Sequence, residues 1–192
     1  MNSPMQKFYE WRDIALFNSR LTHKQAVCVS TINKDGFPNG RFVELKEANN
    51  RGFSFCTFLD STKGTEIAQN PKIAMTIWWD HVGFQVRIMG YAKALPETEA
   101  TKFWQMRSRD AQIASLSSKQ SQELKNETQL FEQVKVLNKT YLDCPIPKPE
   151  NWGGYIVEPN QIEFLQFKEN RLHIREVYTL KKKDWIKTYL QP

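Results

Sequence analysis

Between residues 25 and 95 the chain alternates short, β-branched apolar runs with polar turns, and no other feature constrains its fold as strongly. QAVCVSTI (25–32), RFVELK (41–46), FSFCTFL (53–59), KIAMTIWW (72–79) and FQVRIMGYAKAL (84–95) read as five strands. NKDG (33–36) and NNRG (49–52) are turns that end on glycine. Linkers this short join antiparallel neighbours, and a meander of many short strands hides its edges by curling into a barrel. YIVEP (155–159), QIEFLQF (161–167), RLHIREVY (171–178) and DWIKTYL (184–190) extend the pattern. The fold class expected is mainly β with inserted helices, an antiparallel β-barrel.

Helical signals punctuate the strands. Ser3-Pro4 is a capping residue followed by proline at the first helical position, and Met5, Phe8, Trp11, Ala15 and Leu16 then recur at helical spacing over 4–18. DSTKGTEIAQNP (60–71) holds a short helix capped by Ser61. PETEATKFWQM (96–106) opens on proline and acids, and 107–142 carries neither glycine nor proline. CPIPKPENWGG (144–154) reads as an extended loop. One domain over 1–192, with a helical insertion at about 96–142, accounts for all of this.

Bulk properties exclude several classes. With 40% hydrophobic and 25% charged residues the chain is composed like a globular protein, not a disordered one. No apolar run approaches the ~18 residues of a membrane helix. The N-terminus, MNSPMQKFYEWRD, lacks the apolar core of a secretory signal. Cys28, Cys56 and Cys144 are too scattered for a disulfide framework or a metal site, so a reducing, cytoplasmic setting is expected. The net charge of +6 admits nucleic acid, an acidic membrane surface or phosphorylated small molecules as partners. Much of the excess lies in Lys181-Lys182-Lys183, which reads as a solvated hairpin tip.

Four stretches carry possible chemistry. In RFVELK, Arg41, Val43 and Leu45 face one way and Phe42, Glu44 and Lys46 the other, which is also the pattern of any amphipathic strand. TFLDSTKG (57–64) runs a strand into a capped helix, with Thr57, Ser61, Thr62 and Lys63 at the junction. Free backbone N–H groups, hydroxyls and a lysine there make a ready phosphate site, although such caps are common. QMRSRDAQIASLSSKQS (105–121) gathers Arg107, Arg109 and Lys119 with hydroxyls and amides, or is a surface helix and loop. In RLHIR, Arg171, His173 and Arg175 would share one strand face, an arrangement that needs an anion or a stacked ring. No nucleophile–base triad, Walker loop, dinucleotide fingerprint or metal ligand set is present.

In this order, RFVELK, TFLDSTKG, RSRDAQIAS…SKQS, WGGY, QIEF and RLHIR with a closing W…LQP resemble the pyridoxamine 5′-phosphate oxidase family of FMN-dependent split barrels. The likeness runs from about Pro4 to Pro192. It implies an FMN site lined by Arg41, Phe42, Val43, Glu44 and Lys46, by Cys56 and Thr57 in place of a tyrosine–threonine pair, and by Thr62 and Lys63 on the flavin phosphate. Gln85 and Arg175 would meet the flavin, with Leu165 where the family packs a tryptophan. Gln120 and Ser121 would reach it from the other subunit of a homodimer. Lys46 and Arg107 would bind the substrate phosphate, and Arg171 and His173 would be the catalytic pair over the substrate ring. The reaction implied is hydride transfer from the 4′ carbon of pyridoxamine or pyridoxine phosphate to FMN, with oxygen as acceptor and no metal.

The sequence departs from that pattern where the substrate should sit. Phe103 replaces a phosphate-binding tyrosine and Ala111 a phosphate-binding serine; Thr62 and Leu165 replace an arginine and a tryptophan. Two lost hydroxyl bonds amount to about 1–3 kcal/mol, which leaves the FMN site largely kept and the substrate site altered. Two further readings stay open: a flavin-binding barrel, or an oxidase of another reduced heterocycle, without B6 activity; and a basic barrel that binds nucleic acid. The positive residues group in blocks suited to small phosphates rather than in a stripe, which favours a small-molecule substrate over nucleic acid.

Overall fold

The structure is a computed structural model that describes residues 3–17 and 19–192. Helix α1 (Pro4–Leu16) begins where Ser3 caps it, its hydroxyl accepting from the Met5 N–H at 3.2 Å. The expected last residue of this helix, Asn18, lies outside the described residues. Strands β1 (Ala26–Ile32), β2 (Pro38–Asn49) and β3 (Gly52–Phe58) lead to α2 (Thr62–Gln69), then to β4 (Lys72–Trp79) and β5 (Phe84–Ala94). Helices α3 (Glu97–Gln105), α4 (Arg109–Leu116) and α5 (Glu127–Thr140) precede β6 (Trp152–Gln166), β7 (Ile174–Lys181) and β8 (Asp184–Leu190).

All pairings are antiparallel. The strand order is β3-β2-β1-β4-β5-β6-β7-β8, and a further β3–β6 pairing closes the first six strands into a barrel. Strand β6 makes this closure possible through its length. One edge pairs with β5 from Tyr155 to Gln166, while the other meets β3 over Trp152–Val157 and then β7 over Gln161–Gln166. Between the two halves the register shifts, with Met89 opposite Gln161 but Gly90 opposite Pro159. A Cβ on Gly90 would stand 2.1 Å from the Glu158 carbonyl oxygen, so only glycine admits β6 at this bulge.

The barrel interior takes alternate residues. Val27, Val29, Met75, Val86, Ile88, Ile162 and Phe164 are all fully buried. Helix α1 lies across one end, where Phe8 meets Phe53 edge-on at 5.0 Å and Trp11 stacks on Phe84 at 4.1 Å. A second core under α3 and α4 contains Phe58, Phe103, Trp104, Ile113 and Trp152. There the Trp104 indole donates to the Ile146 carbonyl at 3.0 Å.

Two expectations are corrected. The runs at 155–159 and 161–167 form one strand, because the bulge leaves Asn160 unpaired without breaking the ladder on either side. The stretch 107–142 forms two helices, α4 and α5, joined by an irregular link in which Ser121 sits at φ 69. RLHIR is not a strand. Strand β7 starts only at Ile174; Arg171 occupies a left-handed turn at φ 61, and its N–H donates to the Lys168 carbonyl at 3.0 Å. The three cationic side chains therefore do not share a strand face. The lysine tract is the hairpin tip expected, with Lys181 opposite Asp184.

Candidate active site

The junction of β3 and α2 builds the centre of the site. Ser61 caps α2, accepting from the Gly64 N–H at 3.3 Å and donating to the Phe58 carbonyl at 2.7 Å. Gly64 has no room for a side chain, since a Cβ would lie 2.2 Å from the Leu59 carbonyl oxygen. The helix start is thereby pressed onto the strand end, and Lys63 is pulled inward. Its Nζ donates to Thr57 Oγ1 at 3.1 Å and to Ser61 Oγ at 3.4 Å, and among the described residues no carboxylate pairs with it. Burial, helped by Arg41, holds its pKa below the usual lysine value. A buried cation that meets only hydroxyls at a helix N-terminus is an anion site. Thr62 points outward and is exposed.

Around Lys63 opens a cleft of about 270 Å³, lined by Arg41, Phe42, Val43, Glu44, Lys46, Cys56, Thr57, Lys63, Arg107 and Gln120. Nine of these ten are residues expected for the cofactor, and Arg107 is expected for the substrate. Two of its four cations have acid partners. Lys46 meets Glu44 at 2.6 Å. Arg41 meets Glu66 at 3.0 Å and also Thr31, while Glu66 accepts from Asn39 at 3.0 Å and from Thr31. Burial pushes the Glu66 carboxyl up, but these three donors outweigh it and hold its pKa low. Sequence reasoning missed Thr31, Asn39 and Glu66, because only the barrel register brings three separated segments together.

Arg107 is the other cation without an acid partner. Its guanidinium lies over Trp152 at 5.4 Å and Trp104 at 5.9 Å, and Nη2 donates to the Ala111 carbonyl at 3.0 Å and to Ser115 Oγ at 3.1 Å. Its Nε is buried and has no partner among the described residues. Burial lowers its pKa. Cys56 lies beside it, its thiol pushed up to about 11 by burial and therefore not a thiolate near neutrality. Phe103 is 8% exposed in the second core and does not line the cleft. Ala111 enters only through its carbonyl.

Gln120, expected from the other subunit, lies in the same chain's cleft, where its Oε1 accepts from Thr57 Oγ1 at 3.0 Å. Ser121 follows it on the exposed turn. The remaining expected residues stand elsewhere. Gln85, Leu165 and Arg175 are direct partners across β5, β6 and β7, so they share one outward row, and Trp78 on β4 continues it. Trp78 meets Phe167 at 4.8 Å, and Phe167 meets His173 at 4.7 Å. The His173 Nδ1 accepts from the Lys168 N–H at 3.1 Å. Arg175 is anchored on buried Glu163 at 2.8 Å.

These two groups cannot meet within one chain. Strand β5 is three strands from β2 in either direction round the six-stranded barrel, so their outward faces point apart. Along β6, Leu165 is twelve residues from Gly153, the partner of Thr57, or about 40 Å of extended chain.

Comparison with known proteins fits this division. Residues 16–135 match the family model described as pyridoxamine 5′-phosphate oxidase, and residues 152–192 match that of a pyridoxine 5′-phosphate oxidase C-terminal dimerisation region. The pyridoxine/pyridoxamine 5′-phosphate oxidase of Leptospira biflexa is 36% identical over 189 residues, covering 98% of this chain and 89% of that protein. The chloroplastic pyridoxine/pyridoxamine 5′-phosphate oxidase 1 of Arabidopsis thaliana is 38% identical over 92% of this chain, a match that spans 33% of the longer plant protein. Among solved structures, PhzG from Burkholderia lata 383, in complex with tetrahydrophenazine-1-carboxylic acid, has a TM-score of 0.94 at 31% identity, with 100% of this chain and 94% of that chain covered. Two family models in sequence along most of the chain, and relatives this similar over nearly all of it, lead to one conclusion: the chain belongs to the pyridoxamine 5′-phosphate oxidase family of oxidoreductases.

Proposed function

We propose that the protein is an FMN-dependent oxidase of the pyridoxine/pyridoxamine 5′-phosphate oxidase type, acting on a reduced, anionic ring as a homodimer with oxygen as acceptor. The observation that carries this is the cleft around Lys63, where two cations, buried Lys63 and half-buried Arg107, lack acid partners among the described residues. Desolvated cations without acid partners are costly to a folded chain, and a bound anion would offset that cost. The residues present fit FMN. Lys63, Thr57, Ser61 and the α2 N-terminus would hold its phosphate, and Phe42, Val43 and Glu44 on β2 would run beneath the rest. When bound, FMN supplies a two-electron acceptor that oxygen can regenerate.

A second copy of the chain would bring the row of Gln85, Leu165 and Arg175, with Trp78, against the cleft. The opposed directions of the two half-sites support this, as does the match of 152–192 to a dimerisation region. Arg171 and His173 would then work from the turn before β7, over the substrate ring. Arg175, fixed by Glu163, would keep positive charge near the reacting rings, where electron density grows as the substrate is oxidised. The three free cysteines suit a reducing compartment, the cytoplasm. Among the described residues no helix is long and apolar enough to cross a membrane, and no His, Cys, Asp or Glu cluster could hold a metal.

The substrate need not be a B6 phosphate. Phe103 and Ala111 present no hydroxyl, and PhzG, similar over the whole chain, is described with a tricyclic carboxylate. The test is anaerobic reduction of the purified yellow protein, followed as bleaching of flavin absorbance. Pyridoxamine 5′-phosphate and a reduced tricyclic carboxylate are compared. Bleaching by either supports the oxidase, and the faster one names the class. A protein that holds FMN and bleaches with neither is a flavin-binding barrel.

A further inference from the structure

We propose that Ser115 is the positioning residue of Arg107 and holds that guanidinium where an anionic substrate would meet it. The inference rests on the oxidase reading above. Ser115 and Ala111 lie one turn apart on the same face of α4. The Ser115 hydroxyl donates to the Ala111 carbonyl at 2.9 Å, which uses its one proton. Its lone pairs are left to face Arg107, and Nη2 donates to them at 3.1 Å while also donating to the same Ala111 carbonyl at 3.0 Å. One serine and one carbonyl thereby occupy a single guanidinium nitrogen. The face of the ion rests on Trp152 and Trp104. Position and tilt are both fixed; Nε is buried, and Nη1, with no partner among the described residues, is the nitrogen left to meet a ligand.

Position 111 carries no hydroxyl that could itself reach an anion. The hydroxyl one turn later acts on the arginine instead of on the ligand. Substrate anions should then depend on Ser115 without touching it. A positioning role differs from a packing role in what it moves. The anion end of a substrate is remote from the reacting carbon, so a misplaced Arg107 raises KM and leaves kcat nearly intact.

The experiment uses FMN-loaded protein, so that the flavin phosphate occupies its own site, and inorganic phosphate as the probe. Binding is read from tryptophan fluorescence, to which Trp104 and Trp152 contribute as the rings under Arg107. Ser115→Ala should raise the phosphate Kd by about five- to tenfold, the weight of one hydrogen bond to a charged group partly backed up by the Ala111 carbonyl. Ser115→Thr, which keeps the hydroxyl, should stay within about twofold, and FMN affinity should be unchanged in both. In turnover, Ser115→Ala should raise KM by the same factor. Equal phosphate affinity in wild type and Ser115→Ala overturns the proposal, and so does an absence of saturable phosphate binding in the wild type. Ser115-dependent phosphate binding in a protein that oxidises no substrate would instead sink the oxidase reading and keep the role of Ser115.

Discussion

Replacing Lys63 by methionine should weaken FMN binding and, in the flavin-free protein, raise stability. The two effects have one cause. Lys63 is 7% exposed and its ammonium meets two hydroxyls but no carboxylate among the described residues. Its burial is therefore only partly compensated, and that burial holds its pKa below the usual lysine value; a bound phosphate would supply the missing charge. Methionine keeps the length of the side chain and removes the charge. Thr57 still donates to Gln120 and Ser61 to the Phe58 carbonyl, so neither hydroxyl proton is orphaned. Loss of one charge-assisted bond to phosphate is about 1.5–3 kcal/mol, which is roughly a 10- to 150-fold rise in the FMN Kd. Flavin fluorescence quenching measures the Kd, and urea unfolding of the flavin-free protein measures stability. The pH dependence supplies a further check. A lysine whose folded pKa is lowered binds fewer protons folded than unfolded, so stability should rise as pH climbs from its folded value towards 10.5. Lys63→Met should lack that rise. A variant that loses stability without flavin, yet holds FMN as the wild type does, would show that Lys63 is structural and refute the argument.

Glu66→Ala should destabilise the flavin-free fold by about 3 kcal/mol in denaturant titration, because it strands Arg41 beside Thr31. Glu66 has a lowered folded pKa, so its stabilisation is complete above the usual 4.5 and drains as pH falls through the folded value; Glu66→Gln should flatten that acid limb of the stability curve. Trp78→Ala should lose about 1 kcal/mol from its edge-to-face contact with Phe167 and should change the fluorescence of bound flavin if a second subunit lays this row against it. Dilution below the dimer dissociation constant, followed by sedimentation and flavin release, should shed FMN and subunits together; a monomer that keeps its flavin contradicts the shared site.

The fold was legible where local signals agree with burial. The strands at 26–32, 72–79 and 84–94 are legible to within a residue of their ends, since in each buried residues alternate with less buried ones and the strand stops at a turn. The cap at Ser61 was equally plain. The reading failed where tertiary contacts override pattern. RLHIR alternates like a strand, yet Arg171 lies in a left-handed turn, because β6 and β7 need a reversal between Phe167 and Ile174. Pro159 reads as a strand break, yet it lies within β6 at the bulge.

The site was half legible for a related reason. Residues contributed by one segment, such as Lys63 with Thr57 or Arg41 with Lys46, stand together in sequence and can be read there. Partners that only folding supplies cannot. Glu66 reaches Arg41 from α2, Ser115 reaches Arg107 from a helical turn beyond Ala111, and Trp78 joins the Gln85 row through strand register. These partners decide how much charge the cleft offers. Four cations line it, but Glu66 and Glu44 take two of them. Glu66 is a buried partner, whereas the Glu44 side chain is 59% exposed and its pair with Lys46 is weak enough to be exchanged for a ligand. On the proposed assignment Lys63 would be the firm cation for a flavin phosphate, Arg107 a positioned one for the substrate and Lys46 a recruitable one. A substrate with a single negative charge would then be matched by Arg107 alone, and a phosphate dianion would also have to draw Lys46 away from Glu44.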